Sequence, residues 1–229
     1  MMAKTQKIDN AVLKRFERSN SKRKPRTIKV FFLIVSEGSK TEPNYFQKFE
    51  GQFGNIIYDI DCEGKGYSTL RVVKEAIKIR DNDPNKYNRV WAVFDKDDFP
   101  DNDFNDAILL AKSNDIGCAW SNEAIELWYL LHFQYRNTPM SRNDYKHAIE
   151  NEINKKMKNF EYAKNSIEMY DILWKFGNQA QAIKNAEKLS QQYNNQNFAQ
   201  HNPRTQVYEL VRQLIGQDAR INEEIKQKF

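Results

Sequence analysis

The segment Val30–Glu42, with the sequence VFFLIVSEGSKTE, constrains the fold more than any other part of the chain. It opens with a run of six apolar residues, most of them β-branched or aromatic, and the run ends abruptly at Ser-Glu-Gly. Such a run is too short to cross a bilayer and is typical of a buried strand. Because ligands bind at the carboxyl ends of strands in open α/β sheets, Glu37 is the first candidate functional residue.

The same succession of strand, polar turn and helix repeats along the first half of the chain. Strands are predicted at Lys29–Val35, Ile56–Cys62, Arg89–Phe94 and Gly117–Trp120. Helical patterns follow them from Thr41, from Ser68, through Ala107–Ala111 and from Asn122. This alternation predicts an α/β domain with a mostly parallel four-stranded sheet flanked by helices on both faces. After Phe133 we expect only helices, at Asp144–Met157, Gln179–Tyr193 and Val207–Ile215.

Positive charge is concentrated at the N-terminus. Residues 1–27 carry nine Lys or Arg residues against two acidic ones, a net charge of +7, whereas the remainder has a net charge of −2. We therefore predict a basic, flexible arm at 1–27, the α/β domain at 28–135 and a helical extension packed on it at 136–229. The arm is either a solvated tail or a contact to phosphate backbones. In the second case the candidate contacts are Lys22, Arg23, Lys24 and Arg26.

The remaining composition excludes several classes of protein. The two cysteines and three histidines show neither a zinc pattern nor a disulfide framework. No segment has the length of a membrane span, and the N-terminus lacks the apolar part of a signal peptide. We therefore expect a cytoplasmic protein with no membrane partner. The aromatic residues Tyr45, Phe46, Trp128 and Trp174 are expected in the core rather than as platforms for nucleobases.

Carboxylates follow two of the predicted strands. Asp95 and Asp97 come directly after the third strand, and their D-x-D spacing places both on one side of an extended chain. Together with Glu37 they would repel one another unless a cation lies between them, and oxygen ligands suit Mg²⁺ or Mn²⁺ better than Zn²⁺. The alternative is that strand-end aspartates cap helices, which we favour for Asp98, Asp101 and Asp103.

Three further residues are candidates for the same site. Glu126, on the helix predicted after the fourth strand, is either a further metal ligand or a buried structural partner, since it lies off the apolar stripe of that helix. Lys40 and Lys65 each precede a predicted helix, where backbone N–H groups attract phosphate. For Lys65, a solvated lysine in a Gly-flanked turn fits the sequence equally well.

Four segments of the chain together resemble the RloB-like family, whose core is a Toprim (topoisomerase-primase) fold. These segments are VSEGSKTEPNYF, AVFDKDDF, SNEAIELWYLLHF and NPRTQVYEL, and the resemblance extends from about Lys29 to Leu210. The chain departs from the family pattern at Glu123, where a proline is expected, and at Ile125, where an aromatic residue is expected.

The resemblance implies roles for individual residues. Glu37 would be the catalytic or metal-ligating glutamate, and Asp95 and Asp97 would be the magnesium-binding pair. Members of the family are implicated in bacterial anti-phage and abortive-infection systems, often encoded beside an ATPase partner. We therefore expect a Mg²⁺-dependent endonuclease, acting on RNA such as tRNA or on DNA, in which Glu37 binds the metal or serves as general base.

Two other functions fit the same residues. The chain is alternatively a non-catalytic nucleic-acid-binding or regulatory subunit of a defence complex, whose acidic pocket holds a partner or a ligand. It is also compatible with another magnesium-dependent phosphotransfer enzyme, such as a small-molecule phosphohydrolase.

Overall fold

The computed structural model describes residues 28–53, 56–64, 68–217 and 223. Its strands are β1 (Ile28–Ser36), β2 (Gly51–Phe53), β3 (Ile56–Gly64), β4 (Arg89–Asp95), β5 (Gly117–Asn122) and β6 (Arg204–Thr205). Its α-helices are α1 (Thr41–Phe46), α2 (Thr69–Asn82), α3 (Asp101–Ser113), α4 (Glu126–Leu131), α5 (Arg142–Asn154), α6 (Met169–Phe176), α7 (Gln179–Ser190) and α8 (Val207–Leu214). The predicted basic arm, with Lys22, Arg23, Lys24 and Arg26, lies outside the described residues, as does Lys65.

The strands form one sheet in the order β2-β3-β1-β4-β5-β6. Its four central strands are mutually parallel and are the four that the sequence predicts. The predicted number of strands was wrong, because β2 and β6 pair antiparallel at the two edges. These edge strands have three and two residues, so neither is long enough to show an alternating apolar pattern.

Two hydrophobic layers cover the two faces of the sheet. The alternation of side chains in β4 shows this division, since Val90, Ala92 and Phe94 pack into the layer of α2 and α3. Trp91 and Val93 face the opposite layer, which α1 and the later helices supply. Helices on both faces of a mostly parallel sheet therefore confirm the predicted α/β class.

The C-terminal half departs from the prediction in three places. Asn122 ends β5 instead of starting a helix, and α4 begins at Glu126. Helix α6 was not predicted, although its residues Met169, Ile172, Leu173 and Phe176 have helical spacing. The expectation of helices alone after Phe133 was wrong, since the two residues of β6 join the sheet there. Within the described residues, no helix combines the length and the apolar character that crossing a membrane requires.

Candidate active site

The carboxyl ends of β1 and β4 bring Glu37 close to Asp95. Ser36 pairs with Val93 in the parallel ladder, and the N–H of Glu37 extends that ladder by donating to the carbonyl of Val93 at 2.9 Å. The carboxylate of Glu37 then accepts a hydrogen bond from the backbone N–H of Asp95 at 3.4 Å. Parallel pairing therefore places these two predicted site residues side by side.

Asp95 and Asp97 are held together by Arg142, which the sequence analysis did not single out. The guanidinium of Arg142, the first residue of α5, donates to Asp95 Oδ2 at 2.8 Å and to Asp97 Oδ2 at 2.9 Å. Its Nε lies 3.7 Å from Glu126 Oε2. One planar cation thus donates a hydrogen bond to each of two carboxylates and lies within ion-pair distance of a third.

Asp95 and Asp97 face the same cavity, but the alternation of side chains along a strand, which the sequence analysis invoked, is not the cause. Strand β4 ends at Asp95, and Asp97 has a φ of 37°, so the alternation of an extended strand does not continue to it. The N–H of Asp97 donates to the carbonyl of Glu123 at 3.2 Å, which fixes this turn against the end of β5. Arg142 then completes the pairing of the two carboxylates.

Glu126 is buried together with its whole helix. Its carboxylate accepts a hydrogen bond from the hydroxyl of Tyr162 at 3.1 Å, while its second oxygen, Oε2, has no hydrogen-bond partner. Although Glu126 lies off the apolar stripe of α4, it is buried, because every residue of this helix is buried. The structure places Glu126 in the acidic group and also gives it a structural partner.

Glu42 is a second buried acid that the sequence reasoning missed. Its Oε2 has no hydrogen-bond partner, and the side chain is only 6% exposed. A signal was present, because Glu42 falls at helical spacing with the core residues Tyr45, Phe46 and Phe49. A side chain at Gly38 would overlap the carboxylate of Glu42, so glycine leaves the room that this acid fills.

These residues line one cavity of about 490 Å³. Besides Arg142, its lining includes five acidic residues, namely Glu37, Glu42, Asp95, Asp97 and Glu126. Lys164 and Asn165 contribute to the lining from the segment between α5 and α6. The candidate Lys40 is exposed and is not part of this lining, although it directly precedes α1. Lys164 is therefore the lysine that the structure places in the lining, and the phosphate contact expected of Lys40 stays a prediction.

Burial and mutual repulsion change the acidity of the carboxyl groups. Burial raises the pKa of Glu37 to about 7, against the opposing hydrogen bond from the N–H of Asp95 and with a further contribution from Glu42. Burial also raises the pKa of Asp95 well above its ordinary value, and the neighbouring carboxylates of Glu42 and Glu126 raise it further. The cavity therefore favours protons or other cations near these carboxyl groups.

A model of the RloB-like protein family matches residues 32–214 of the chain. The chain belongs to the RloB-like family. The matched range includes every residue of the acidic cavity and runs from β1 to the last residue of α8. Comparison of this RloB-like chain with curated proteins and with solved structures gives no significant match.

The acidic residues of the RloB-like chain fit a hard cation by their chemistry. All the donors are carboxylate oxygens, which suit Mg²⁺ or Mn²⁺, and two buried oxygens, Glu42 Oε2 and Glu126 Oε2, lack a hydrogen-bond partner. In the described part of the chain, however, no three His, Cys, Asp or Glu residues are arranged as a ready-made metal site. Arg142 instead supplies the compensating positive charge to Asp95 and Asp97.

Proposed function

We propose that this RloB-like protein is a Mg²⁺-dependent nuclease that hydrolyses phosphodiester bonds of RNA, such as tRNA, or of DNA in anti-phage defence. The observation that supports this proposal is the convergence of Glu37, Asp95 and Asp97 in one acidic cavity at the carboxyl ends of parallel strands. We further infer that the α/β domain is of the Toprim type, in which acidic residues after the first and third parallel strands form the reaction site.

In this proposal the acidic residues of the cavity have two roles, metal binding and proton transfer. Glu37, Asp95 and Asp97 would hold Mg²⁺ or Mn²⁺. The bound ion would stabilise charge on a phosphoryl oxygen and lower the pKa of a coordinated water. In the alternative arrangement, with Glu37 outside the coordination shell of the metal, a pKa of about 7 would let it take up or release a proton near neutral pH, as a general base or acid requires.

The proposal extends to the setting in which the protein acts. We expect cytoplasmic activity alongside an ATPase partner, with nucleic acid as the substrate. The basic residues of the chain outside the described part, among them Lys22, Arg23, Lys24, Arg26 and Lys65, are proposed contacts to the phosphate backbone.

A cleavage assay tests this function directly. The purified chain is incubated with mixed tRNA, single-stranded RNA or plasmid DNA in the presence of Mg²⁺, Mn²⁺ or EDTA. We expect cleavage that requires the metal and is lost in Glu37→Ala. Asp98→Ala is the matched control, because Asp98 follows directly after Asp97 but is exposed and does not line the cavity. Intact substrates in every lane, with and without the ATPase partner, would argue against a nuclease.

One observation favours the second candidate, a non-catalytic binding subunit. A guanidinium already occupies the centre of the carboxylate group, so the cavity suits a cationic group of a partner or ligand as well as a metal. Asp95→Ala and Asp97→Ala separate the two functions. Both substitutions should abolish cleavage if the chain is a nuclease, whereas a binding subunit should show no cleavage to lose and should retain nucleic acid in both variants.

A further inference from the structure

Trp174 differs from the other tryptophans of the chain. Its side chain is 68% exposed, whereas Trp91, Trp120 and Trp128 are at most 4% exposed. The expectation that Trp174 belongs to the core was therefore wrong. Ile167 is 66% exposed, so two of the three exposed large apolar residues in the described part of the chain lie within residues 167–174.

The ring of Trp174 extends an aromatic stack out of the core. It lies nearly parallel to the ring of Tyr170, with an interplanar angle of 11° and a distance of 6.2 Å between the centroids. Tyr170 in turn contacts Phe49 edge-on at 4.8 Å and Tyr45 at 5.8 Å, and both of these residues are buried. The indole is thus supported from the inside by fixed rings and remains open to solvent.

The stack lies on a segment that begins at the cavity. Asn165 lines the cavity, accepts a hydrogen bond from Thr41 Oγ1 at 2.8 Å, and its carbonyl accepts another from Asn44 Nδ2 at 3.0 Å. The chain then enters α6, where Asp171 pairs with Lys48 at 2.9 Å. Chain geometry limits the distance between the Cα atoms of Asn165 and Trp174 to about 20 Å.

Positive charge lies just before this segment. Residues 155–164 contain four lysines and one acidic residue, whereas residues 165–175 contain one lysine and two acidic residues. Lys164 lines the acidic cavity without a hydrogen bond to any residue that the structure describes, and its charge acts on the Glu42 carboxyl by opposing the rise in its pKa that burial causes. A lysine in this position can contact a phosphate and offset the repulsion between a polyanion and the carboxylates.

We propose that Trp174 and Lys164 belong to a binding site for a single-stranded polynucleotide, in which a base stacks on the indole and a phosphate contacts the ammonium group. This inference rests on the proposed nuclease function and narrows its substrate to unpaired nucleotides. Bases of a duplex are already stacked on one another, whereas an unpaired base has a free face for an aromatic side chain. Lys164 at the cavity and Lys175 next to the tryptophan in sequence favour a polyanion over an apolar protein partner.

Tryptophan fluorescence in EDTA tests the site without any chemistry, because Trp174 is the exposed tryptophan. A single-stranded RNA of about ten nucleotides should quench it, and the duplex of the same sequence should quench it far less. Trp174→Ala should weaken binding of the single strand about tenfold, while Trp174→Tyr keeps a stacking ring and should restore most of the affinity. Leu109→Ala, the control, removes an exposed apolar side chain from α3 and should leave both the quenching and the affinity for the single strand unchanged.

Salt dependence tests the phosphate contact separately. Lys164→Ala should reduce the slope of log affinity against log salt concentration by about 0.7, the value for one phosphate contact on a single strand. Lys112→Ala removes a lysine of α3 as the control and should leave this slope unchanged.

Equal affinity of wild type and Trp174→Ala for the single strand would overturn the inference, as would equal quenching by single strand and duplex. The proposed nuclease function fails in a different way. In that case stacking on Trp174 persists in EDTA, but no metal supports cleavage.

Discussion

Arg142 determines what the acidic cavity can hold. Its guanidinium neutralises Asp95, a buried carboxylate that shares the cavity with four other acids. These acids in turn raise the pKa of Arg142, although burial opposes this. Removing one member of a buried ion pair leaves the other charge uncompensated, which is far more costly than losing an exposed ion pair. The charge state of the cavity therefore depends on a residue that α5 supplies.

Arg142→Gln should lower the free energy of unfolding in EDTA by about 3 kcal/mol, since Asp95 loses its partner. Mg²⁺ or Mn²⁺ should then stabilise the variant more than the wild type, because the ion no longer competes with a guanidinium. Thermal unfolding with and without metal measures both effects. Arg136→Gln serves as the control, since Arg136 does not line the cavity. Equal metal-induced shifts of Tm in wild type and Arg142→Gln would contradict this prediction.

Glu37 should make stability depend on pH near neutrality. Its pKa is about 7 in the folded chain and about 4.5 in the unfolded chain, so the folded state binds more protons between these values. The contribution of Glu37 to the free energy of unfolding therefore falls as the pH rises from 4.5 to 7. Glu37→Gln cannot ionise, so in EDTA it should be more stable than wild type at pH 8.

The two proteins should have nearly equal stability at pH 4, where Glu37 is largely protonated in both states. Urea denaturation at the two pH values gives the comparison. Glu161→Gln, an exposed glutamate outside the cavity, is the control. A variant that is no more stable than wild type at pH 8 would show that the Glu37 carboxylate is not destabilised by burial.

The elements that position the site differ in how well sequence predicts them. The parallel strands were predicted because they are short stretches rich in apolar residues, although Asp59 and Asp61 interrupt the apolar residues of β3. Their shared orientation brings Glu37 and Asp95 together. The role of Arg142 was not predictable in this way, because its partners lie 45 and 47 residues away and no local pattern links them. The short edge strands depend on pairing with neighbours rather than on any pattern of their own.

The N-terminus of α5 provides a test at the scale of an element. Ser141 and Asp144 form a capping box there, in which the Ser141 hydroxyl accepts from the N–H of Asp144 and the Asp144 carboxylate accepts from the N–H of Ser141. Ser141→Ala should destabilise the protein by about 1 kcal/mol. Amide hydrogen exchange in the first turn of α5, which carries Arg142, should also become faster, because the capping box no longer holds this turn.

Ser166→Ala is the matched control. It removes a serine hydroxyl that accepts a hydrogen bond from the N–H of Glu168 and does not belong to this capping box. Unchanged protein stability and unchanged hydrogen exchange of α5 in Ser141→Ala would show that the capping box does not fix the position of the Arg142 guanidinium.

At the scale of the whole molecule, one hydrophobic core joins the sheet to the late helices. Phe32 and Val93 of the sheet belong to the same buried cluster as Ile183 of α7 and Leu210 of α8. Trp91 Nε1 also donates to Gln213 Oε1 at 3.0 Å, which links β4 to α8. The domain boundary at residue 135 stays a prediction. The hydrophobic layer that contains Phe32 and Val93, however, is built from residues before and after this boundary.

A fragment of residues 1–135 should therefore not fold cooperatively. It would expose α4, whose residues Leu127, Trp128 and Leu130 are fully buried in the intact chain. The full chain should show one sharp urea transition by both near- and far-ultraviolet circular dichroism, and the fragment should show a broad one with binding of a hydrophobic dye. Native-like near-ultraviolet signal and a sharp transition in the fragment would indicate that the α/β part folds independently.

The partial cover of β3 by β2 has a consequence for solubility. In the described part of the chain, β2 pairs only with Ile56–Tyr58, so most of β3 forms an outer edge that another chain could extend. This stretch carries Asp59, Asp61 and Glu63 at every second position, and charged side chains oppose the addition of a foreign strand. We therefore expect these acidic residues to oppose aggregation of concentrated protein, and valine at the three positions should favour the addition of a foreign strand to β3.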